Sequence, residues 1–303
     1  MTWLIRDHKN NTTASQFKKN LNSGKLQRFV GAWSPYIALM VHKLNFEGVY
    51  ISGAGVSNDL GFPDIGLTTL SEVVARGHAI ARITPLPTMI DIDTGFGETM
   101  NAARTIRELE DAGITSCHME DQINPKRCGH LENKGLVDTQ SMVLKIQAAA
   151  KSRRNSDFVI CARTDARGVE GLDKAIARAK AYVDAGADMI FPEALQDEKE
   201  FEIFRKEIKV PLLANMTEFG KSKLLSVSTL ERLGYNMVIY PMTTFRLAMK
   251  AIEDGLKEIS AKGTQEGLLD KMQTRSRLYE VLEYEKYNDF DQGLFNFKLN
   301  KDQ

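Results

Sequence analysis

TMIDIDTGFGETMNAARTIRELEDAGITSCHME, residues 88–120, contains the unit that decides the fold. An apolar run (TMIDID, 88–93) ends in carboxylates and a glycine-rich turn follows. Ala102, Ala103, Ile106, Leu109 and Ala112 then recur at helical i, i+3, i+4 spacing over 99–112. Ala112-Gly113 stops that helix, and a second apolar run (TSCHME, 115–120) begins at once. Downstream, Leu172, Ala175, Ile176, Ala179, Tyr182 and Val183 pattern a helix over 172–185. It stops at Ala185-Gly186, before MIFPE at 189–193. Runs at 28–33 (RFVGAW), 49–52 (VYIS), 158–164 (FVICART), 211–215 (PLLAN) and 237–241 (MVIYP) bring the strands to eight. Strand–helix alternation implies parallel strands with right-handed crossovers, and eight of them suit closure into a (β/α)8 TIM-type barrel. The rival is an open doubly wound sheet, which usually carries a glycine-rich phosphate loop; GFGETM at 95–100 does not qualify as one.

The 303 residues are read as a single barrel domain, with 244–303 a helical C-terminal extension. That extension is rich in aromatics (Tyr279, Tyr284, Tyr287, Phe290, Phe295, Phe297) and either meets another subunit or packs on its own barrel. Forty Lys+Arg balance forty Asp+Glu, which leaves no basic surplus for nucleic acid or anionic lipid. The three cysteines Cys117, Cys128 and Cys161 are an odd number and predict reduced thiols in a cytoplasmic protein. No apolar run reaches the length of a membrane span, and MTWLIRDHKNN predicts no secretory leader.

Two connections are longer than ordinary βα loops: 53–87, with a helix from about Ser71 to Arg82, and 121–138. Both lie on the C-terminal side of strands, where barrel active sites form. Period-two alternation pairs Tyr50 with Ser52, Asp91 with Asp93, His118 with Glu120, Cys161 with Arg163, Phe191 with Glu193 and Leu213 with Asn215. Any one polar strand end serves as a helix cap or a salt bridge. Six pairs at one mouth point to a site, because uncompensated buried charge is costly.

Asp91 and Asp93 with Glu120 suit Mg²⁺, or alternatively Mn²⁺, since such ions take oxygen ligands and keep water. Zinc is rejected, because Cys117 and His118 face opposite ways and neither C-x-x-C nor H-E-x-x-H occurs. Lys126, Arg127 and His130 flank Cys128 and favour its thiolate; the plain alternative is an incidental cysteine on a charged loop. Arg163 faces the mouth, while Arg246 and Arg275 in later helices either contact substrate or stay solvated. Arginine forks with Asn215 and Thr217 as neutral partners suit a small polycarboxylate.

SGAGV (52–56), DIDTGFG (91–97), MEDQ-x-x-PKRCGH (119–130), ARTDA (162–166), FPEA (191–194), NMTEFG (215–220) and YPMTTFR (240–246) occur in one order. Through these motifs the chain resembles the 2-methylisocitrate lyase family of the isocitrate lyase/phosphoenolpyruvate mutase superfamily. The resemblance implies a (β/α)8 barrel whose C-terminal helix is swapped between subunits of a homotetramer. It also implies Mg²⁺-dependent cleavage of a small tricarboxylate, 2-methylisocitrate, to pyruvate and succinate in the methylcitrate cycle of propionate breakdown. By the same resemblance, Ser52, Gly53, Ala54, Cys128, Gly129, Arg163, Glu193, Asn215, Met216, Thr217, Arg246 and Arg275 bind substrate. Asp91 and Asp93 hold the metal, and Asp64 and Glu120 reach it through water. Phe191 falls where the branch accommodates the extra methyl group, and Ala54 replaces a more usual glycine.

Retro-aldol cleavage needs a base for the substrate hydroxyl, a Lewis acid and an acid for the carbanion. Tyr50 is the candidate base and Cys128 the candidate acid, while His130, Arg163 and Asn215 share the developing charge. Rival readings are a lyase or hydrolase of the same superfamily acting on isocitrate, dimethylmalate or oxaloacetate, and a non-catalytic carboxylate-binding barrel.

Overall fold

A computed structural model describes residues 10–127, 129 and 134–295, so Cys128, His130 and Phe297 lie outside the described residues. In chain order the first half runs α1 (Asn10–Leu21), β1 (Gln27–Gly31), α2 (Pro35–Lys43), β2 (Gly48–Ile51), α3 (Gly53–Asp59) and α4 (Leu70–Ala81). It continues with β3 (Thr88–Asp91), α5 (Thr99–Asp111), β4 (Ser116–Glu120) and α6 (Thr139–Ser152). Next come β5 (Val159–Thr164), α7 (Ala166–Val169), α8 (Leu172–Asp184), β6 (Met189–Pro192) and α9 (Glu198–Glu207). The chain ends with β7 (Leu213–Asn215), α10 (Val227–Arg232), β8 (Met237–Tyr240), α11 (Thr243–Lys262), α12 (Arg275–Leu282) and α13 (Tyr284–Phe295).

All eight strands pair in parallel in the order β6-β5-β4-β3-β2-β1-β8-β7. A parallel bridge between Ile190 and Leu212, with Ile190 N–H donating to Pro211 O at 3.0 Å, joins the ends and closes the barrel. The expected (β/α)8 fold is therefore present, and each expected strand matches an observed one. Two buried apolar layers lie on the two faces of the strands, as the strand period demands. Tyr50, Met89, Val159, Cys161, Phe191, Leu213, Met237 and Ile239 fill the interior. Their sequence neighbours, among them Val49, Ile51, Ile90, Ile160, Ile190 and Val238, pack outward under the helices.

Two elements were not expected from the sequence. Helix α3 occupies the start of the 53–87 connection, directly after β2. Helix α1 reaches the N-terminal end of the barrel, and its Phe17 and Leu21 join the interior layer beneath Phe29. Asn236 Nδ2 donates to Leu21 O at 2.8 Å, fixing the helix to the strand ends. The bottom of the barrel is thus sealed by apolar side chains, and its other mouth is left for polar ones. No helix among the described residues is long and apolar enough to cross a membrane.

The contacts divide the chain into two compact units, one spanning Lys9–Leu247 with all eight strands and the other running from Ala248 onward. The second unit comprises most of α11, a 3₁₀ turn at Glu266–Lys271, α12 and α13, with Val281 the buried residue of α12. Tyr279 and Tyr284 stack at 4.7 Å, while Ile252, Leu256, Leu269, Phe290 and Leu294 are exposed.

Phe17 is 1% exposed and lies 5.1 Å from the Phe29 ring. Phe17→Ala is expected to destabilise the barrel by about 3–5 kcal/mol, read as a lower urea midpoint. An unchanged midpoint would mean that α1 does not belong to the cooperative core.

Candidate active site

Above the apolar plug, Tyr50 on β2 and His118 on β4 form the first polar layer. Their rings stack at 5.7 Å with an 8° interplanar angle, and Tyr50 Oη lies 2.7 Å from His118 Nε2. Phe191 meets His118 edge-on at 5.3 Å. Burial depresses His118 to about 4 against the pull of Asp91, so the imidazole is neutral at pH 7. Burial, reinforced by Asp91, holds the Tyr50 phenol well above its ordinary value. His118 Nδ1 is buried without a hydrogen-bond partner.

Asp91 and Asp93 at the end of β3, Glu120 at the end of β4 and Asp64 between α3 and α4 bring four carboxylates around the Lys126 ammonium. Asp91 accepts from Gly53 N–H at 3.2 Å and from Asp93 N–H at 3.0 Å. A Cβ at Gly53 would sit 2.9 Å from Asp91 Oδ2 and 3.2 Å from Asp93 Oδ1, so only glycine allows α3 to start this close. Lys126 Nζ lies 2.7 Å from Asp93 Oδ1 and also bonds Asp64. Burial pushes Asp93 up to about 6, with Asp91 and Asp64 adding to the rise and Lys126 opposing it. Burial would raise Asp91 as well, but the positive neighbours bring it below its ordinary value. With His118 neutral, those neighbours are Lys126 and Arg163. Glu120 is also raised well above its ordinary value by burial.

Two carboxylate oxygens, Asp93 Oδ1 and Glu120 Oε1, are buried and receive no hydrogen bond, the former despite its ion pair with Lys126. Burial is the first cause of both raised carboxyls, and it leaves these two oxygens without a hydrogen-bond donor of their own. That donor set fits a hard divalent cation held by one or two carboxylates, with water and substrate completing its shell. No group of three or more His, Cys, Asp and Glu converges on one point among the described residues, so a closed zinc-type cage is not formed there.

On the next strands, Arg163 is held by three carboxylates. Its guanidinium meets Asp165 at 2.9 and 3.2 Å, Glu120 at 3.2 Å and Glu193 at 3.2 Å, and stacks 5.0 Å above Phe191. Asn215 Nδ2 donates to Glu193 Oε2 at 3.3 Å, while its Oδ1 is buried and unpartnered. Gly129 lies on this group: a Cβ there would come within 2.3 Å of Arg163 Nη2 and 2.6 Å of Glu193 Cγ. Lys134 bonds both Gly129 O, at 2.5 Å, and Asp165, at 2.7 Å, anchoring the long β4–α6 connection over the mouth.

These groups surround a cavity of about 190 Å³. Of the expected residues, Tyr50, Ser52, Ala54, Asp64 and Asp91 line one side, and Gly129, Arg163, Glu193, Asn215, Thr217 and Arg246 the other. Gly53, Asp93 and Glu120 stand behind that lining through the contacts above. Three expectations are corrected or displaced. Met216 turns away from the mouth: its side chain packs in the outer apolar layer and its sulfur accepts from Leu225 N–H at 3.1 Å. Lys126 serves the carboxylate cluster, so its charge is taken up by Asp64 and Asp93. Arg275 belongs to the C-terminal unit, where it opens α12 and is exposed. Cys128 and His130 lie outside the described residues. The sequence places His118 at the mouth without naming its partner and gives no role to Asp165 or Lys134; the Tyr50–His118 contact depends on strand register, and Lys134 reaches Asp165 from the long connection.

Between its ordinary 3.8 and about 6, folded Asp93 keeps a proton that the unfolded chain has released, so its contribution to stability falls as pH rises through that window. Glu120 acts in the same sense and His118 in the opposite one. The difference between wild type and Asp93→Asn isolates the carboxyl. In EDTA, the variant is expected to gain thermal midpoint relative to wild type as pH rises from about 4 to about 7. A difference constant across that range would show an unperturbed Asp93.

The family model described as phosphoenolpyruvate phosphomutase matches residues 17–260. The probable 2-methylisocitrate lyase 1 of Corynebacterium glutamicum is 60% identical over 283 residues, 93% of each chain. The 2-methylisocitrate lyase of Aeropyrum pernix is 49% identical, over 86% of this chain and 84% of that one. Among solved structures, oxaloacetate acetylhydrolase with 3,3-difluorooxalacetate has a TM-score of 0.89 at 31% identity, covering 95% of this chain and 99% of that one. A 2,3-dimethylmalate lyase has a TM-score of 0.88 at 30% identity, covering 95% and 96%.

Proposed function

The chain belongs to the phosphoenolpyruvate phosphomutase family as a carbon–carbon lyase, and from that premise we propose that it cleaves 2-methylisocitrate to pyruvate and succinate. One observation carries the reading: a carboxylate cluster, a fixed arginine and a Tyr–His pair converge on one small cavity. Phe191 favours the methyl-bearing substrate, because its buried ring offers apolar surface beside Arg163. The oxaloacetate and dimethylmalate enzymes resemble the chain at about half the identity of the Corynebacterium glutamicum relative. They stand as the runner-up reading.

Asp91 and Asp93 would hold Mg²⁺, with Asp64 and Glu120 around it, and Mn²⁺ is the alternative ion. When bound, the ion supplies Lewis-acid polarisation of the α-hydroxycarboxylate oxygens. Arg163, immobilised by its three carboxylates, and Arg246 at the rim orient the substrate carboxylates. A phenol held above its ordinary value is a poor base by itself. In the tautomer with its proton on Nε2, neutral His118 donates to Tyr50 Oη, 2.7 Å away, and so supports Tyr50 as the phenolate that takes the hydroxyl proton. The C2–C3 bond breaks, C2 becomes the pyruvate carbonyl, and the electron pair moves onto the succinate fragment. Arg163 and Asn215, with His130 of the long loop, share that negative charge, and the Cys128 thiol protonates the carbon. Because Asp64 and Asp93 take up the charge of Lys126, less positive field remains to ionise that thiol.

In this reading the enzyme works in the cytoplasm, in the methylcitrate cycle of propionate breakdown. It is a homotetramer with exchanged C-terminal helices, forming one barrel domain over 1–303 with 244–303 as its extension. The exposed apolar side chains from Ile252 to Leu294 support the exchange, and Arg275 reaches substrate from that segment.

Product NMR on purified protein with Mg²⁺, given 2-methylisocitrate and isocitrate in parallel, tests the reaction. Pyruvate and succinate from the first, with little glyoxylate from the second, are expected; preference for isocitrate would overturn the reading of Phe191. Cys128→Ser should keep fold and Mn²⁺ binding while losing on the order of 100-fold or more in kcat. Near-normal turnover in that variant would remove Cys128 from the mechanism.

A further inference from the structure

We propose that Phe219 is a positioning residue for Arg246, its ring a platform that aims the guanidinium at a substrate carboxylate. Phe219 follows β7 in the NMTEFG segment and combines two unfavourable features. Its backbone is left-handed, with φ +60°, a conformation that bulky residues rarely adopt. The residue is 91% exposed, so burial returns little for that strain. What the ring does meet is Arg246, whose guanidinium carbon lies 5.1 Å above its centroid.

The neighbouring residue completes the grip. Glu218 Oε2 lies 3.6 Å from Arg246 Nε, and its Oε1 accepts from Thr243 Oγ1. Thr243 is the first residue of α11, the helix that carries Arg246. Residues 218 and 219 therefore hold one arginine by charge and by ring face, and tie the loop to the base of its helix. Arg246 remains 43% exposed along its side chain while lining the cavity, so it is restrained without being sequestered. An arginine ordered before binding loses less side-chain entropy when it meets a carboxylate, which tightens binding of the anion.

The inference rests on the proposed lyase reading only for the identity of the substrate. Full-length wild type, Phe219→Ala, Phe219→Leu and Phe219→Trp are compared in steady-state turnover of 2-methylisocitrate and in calorimetric titration with succinate. With Ala or Leu, KM and the succinate Kd are expected to rise about 2- to 5-fold at unchanged kcat. Tryptophan, the better cation–π partner, should restore both. In an Arg246→Met background, Phe219→Ala should add nothing further. Leucine matching wild type would show that the ring acts as mere apolar surface, for instance toward another chain, and would overturn the proposal. So would an Ala effect undiminished without Arg246. If wild type fails to turn over 2-methylisocitrate, the lyase reading falls, while the succinate pattern still decides the role of Phe219.

Discussion

Arg163 and its carboxylates are the constraint around which the mouth of the barrel is organised. A guanidinium this deeply buried is tolerable only when its donors are matched, and Asp165, Glu120 and Glu193 match them from three neighbouring strand ends. The chain of pairing runs on through the barrel wall. Asp165 N–H donates to Asp121 Oδ1 at 2.9 Å, and Asp121 Oδ2 accepts from Thr164 and from Tyr182 of α8, both at 2.8 Å. Arg178 on the same helix bonds Tyr182 and Glu170. Removing Arg163 would leave its buried carboxylates without their cation, and the pairing sets the site geometry before substrate arrives.

That concentration of charge is offset elsewhere in the barrel. Below the Tyr50–His118 layer the interior is apolar down to Phe17 and Leu21 of α1, and the helices cover a second apolar layer outside. Stability comes from these two layers, and the mouth is freed to hold groups that would be destabilising alone. Lys126 illustrates the arrangement. It comes from the long β4–α6 connection, yet its ammonium sits between Asp64 and Asp93 and ties that connection to the carboxylate cluster.

The sequence alone was sufficient for the barrel. Strand alternation and helix period are local properties, and both survive in the observed boundaries of α5 and α8 almost to the residue. Alternation also identified which side chains face inward, because a strand cannot change face without changing register. The same alternation turns the Met216 side chain outward between Asn215 and Thr217, and it packs in the outer apolar layer. Helix α1 was not legible, since its two core residues bury against strand ends that only closure assembles.

Charge state and partnership were decided by tertiary structure. Asp91 and Asp93 are alike in sequence, but burial and neighbours from other strands push one below and the other above its ordinary range. His118 becomes a partner for Tyr50, and Lys126 a partner for Asp64 and Asp93, across separations that no local pattern encodes. The sequence by itself determined the fold, the inward faces and the residue types at the mouth, because periodicity and chain order are written locally. Which group holds a proton, which cation meets which carboxylate and which arginine is held ready depend on distances of a few ångströms between strands. Those distances exist only after the barrel has closed.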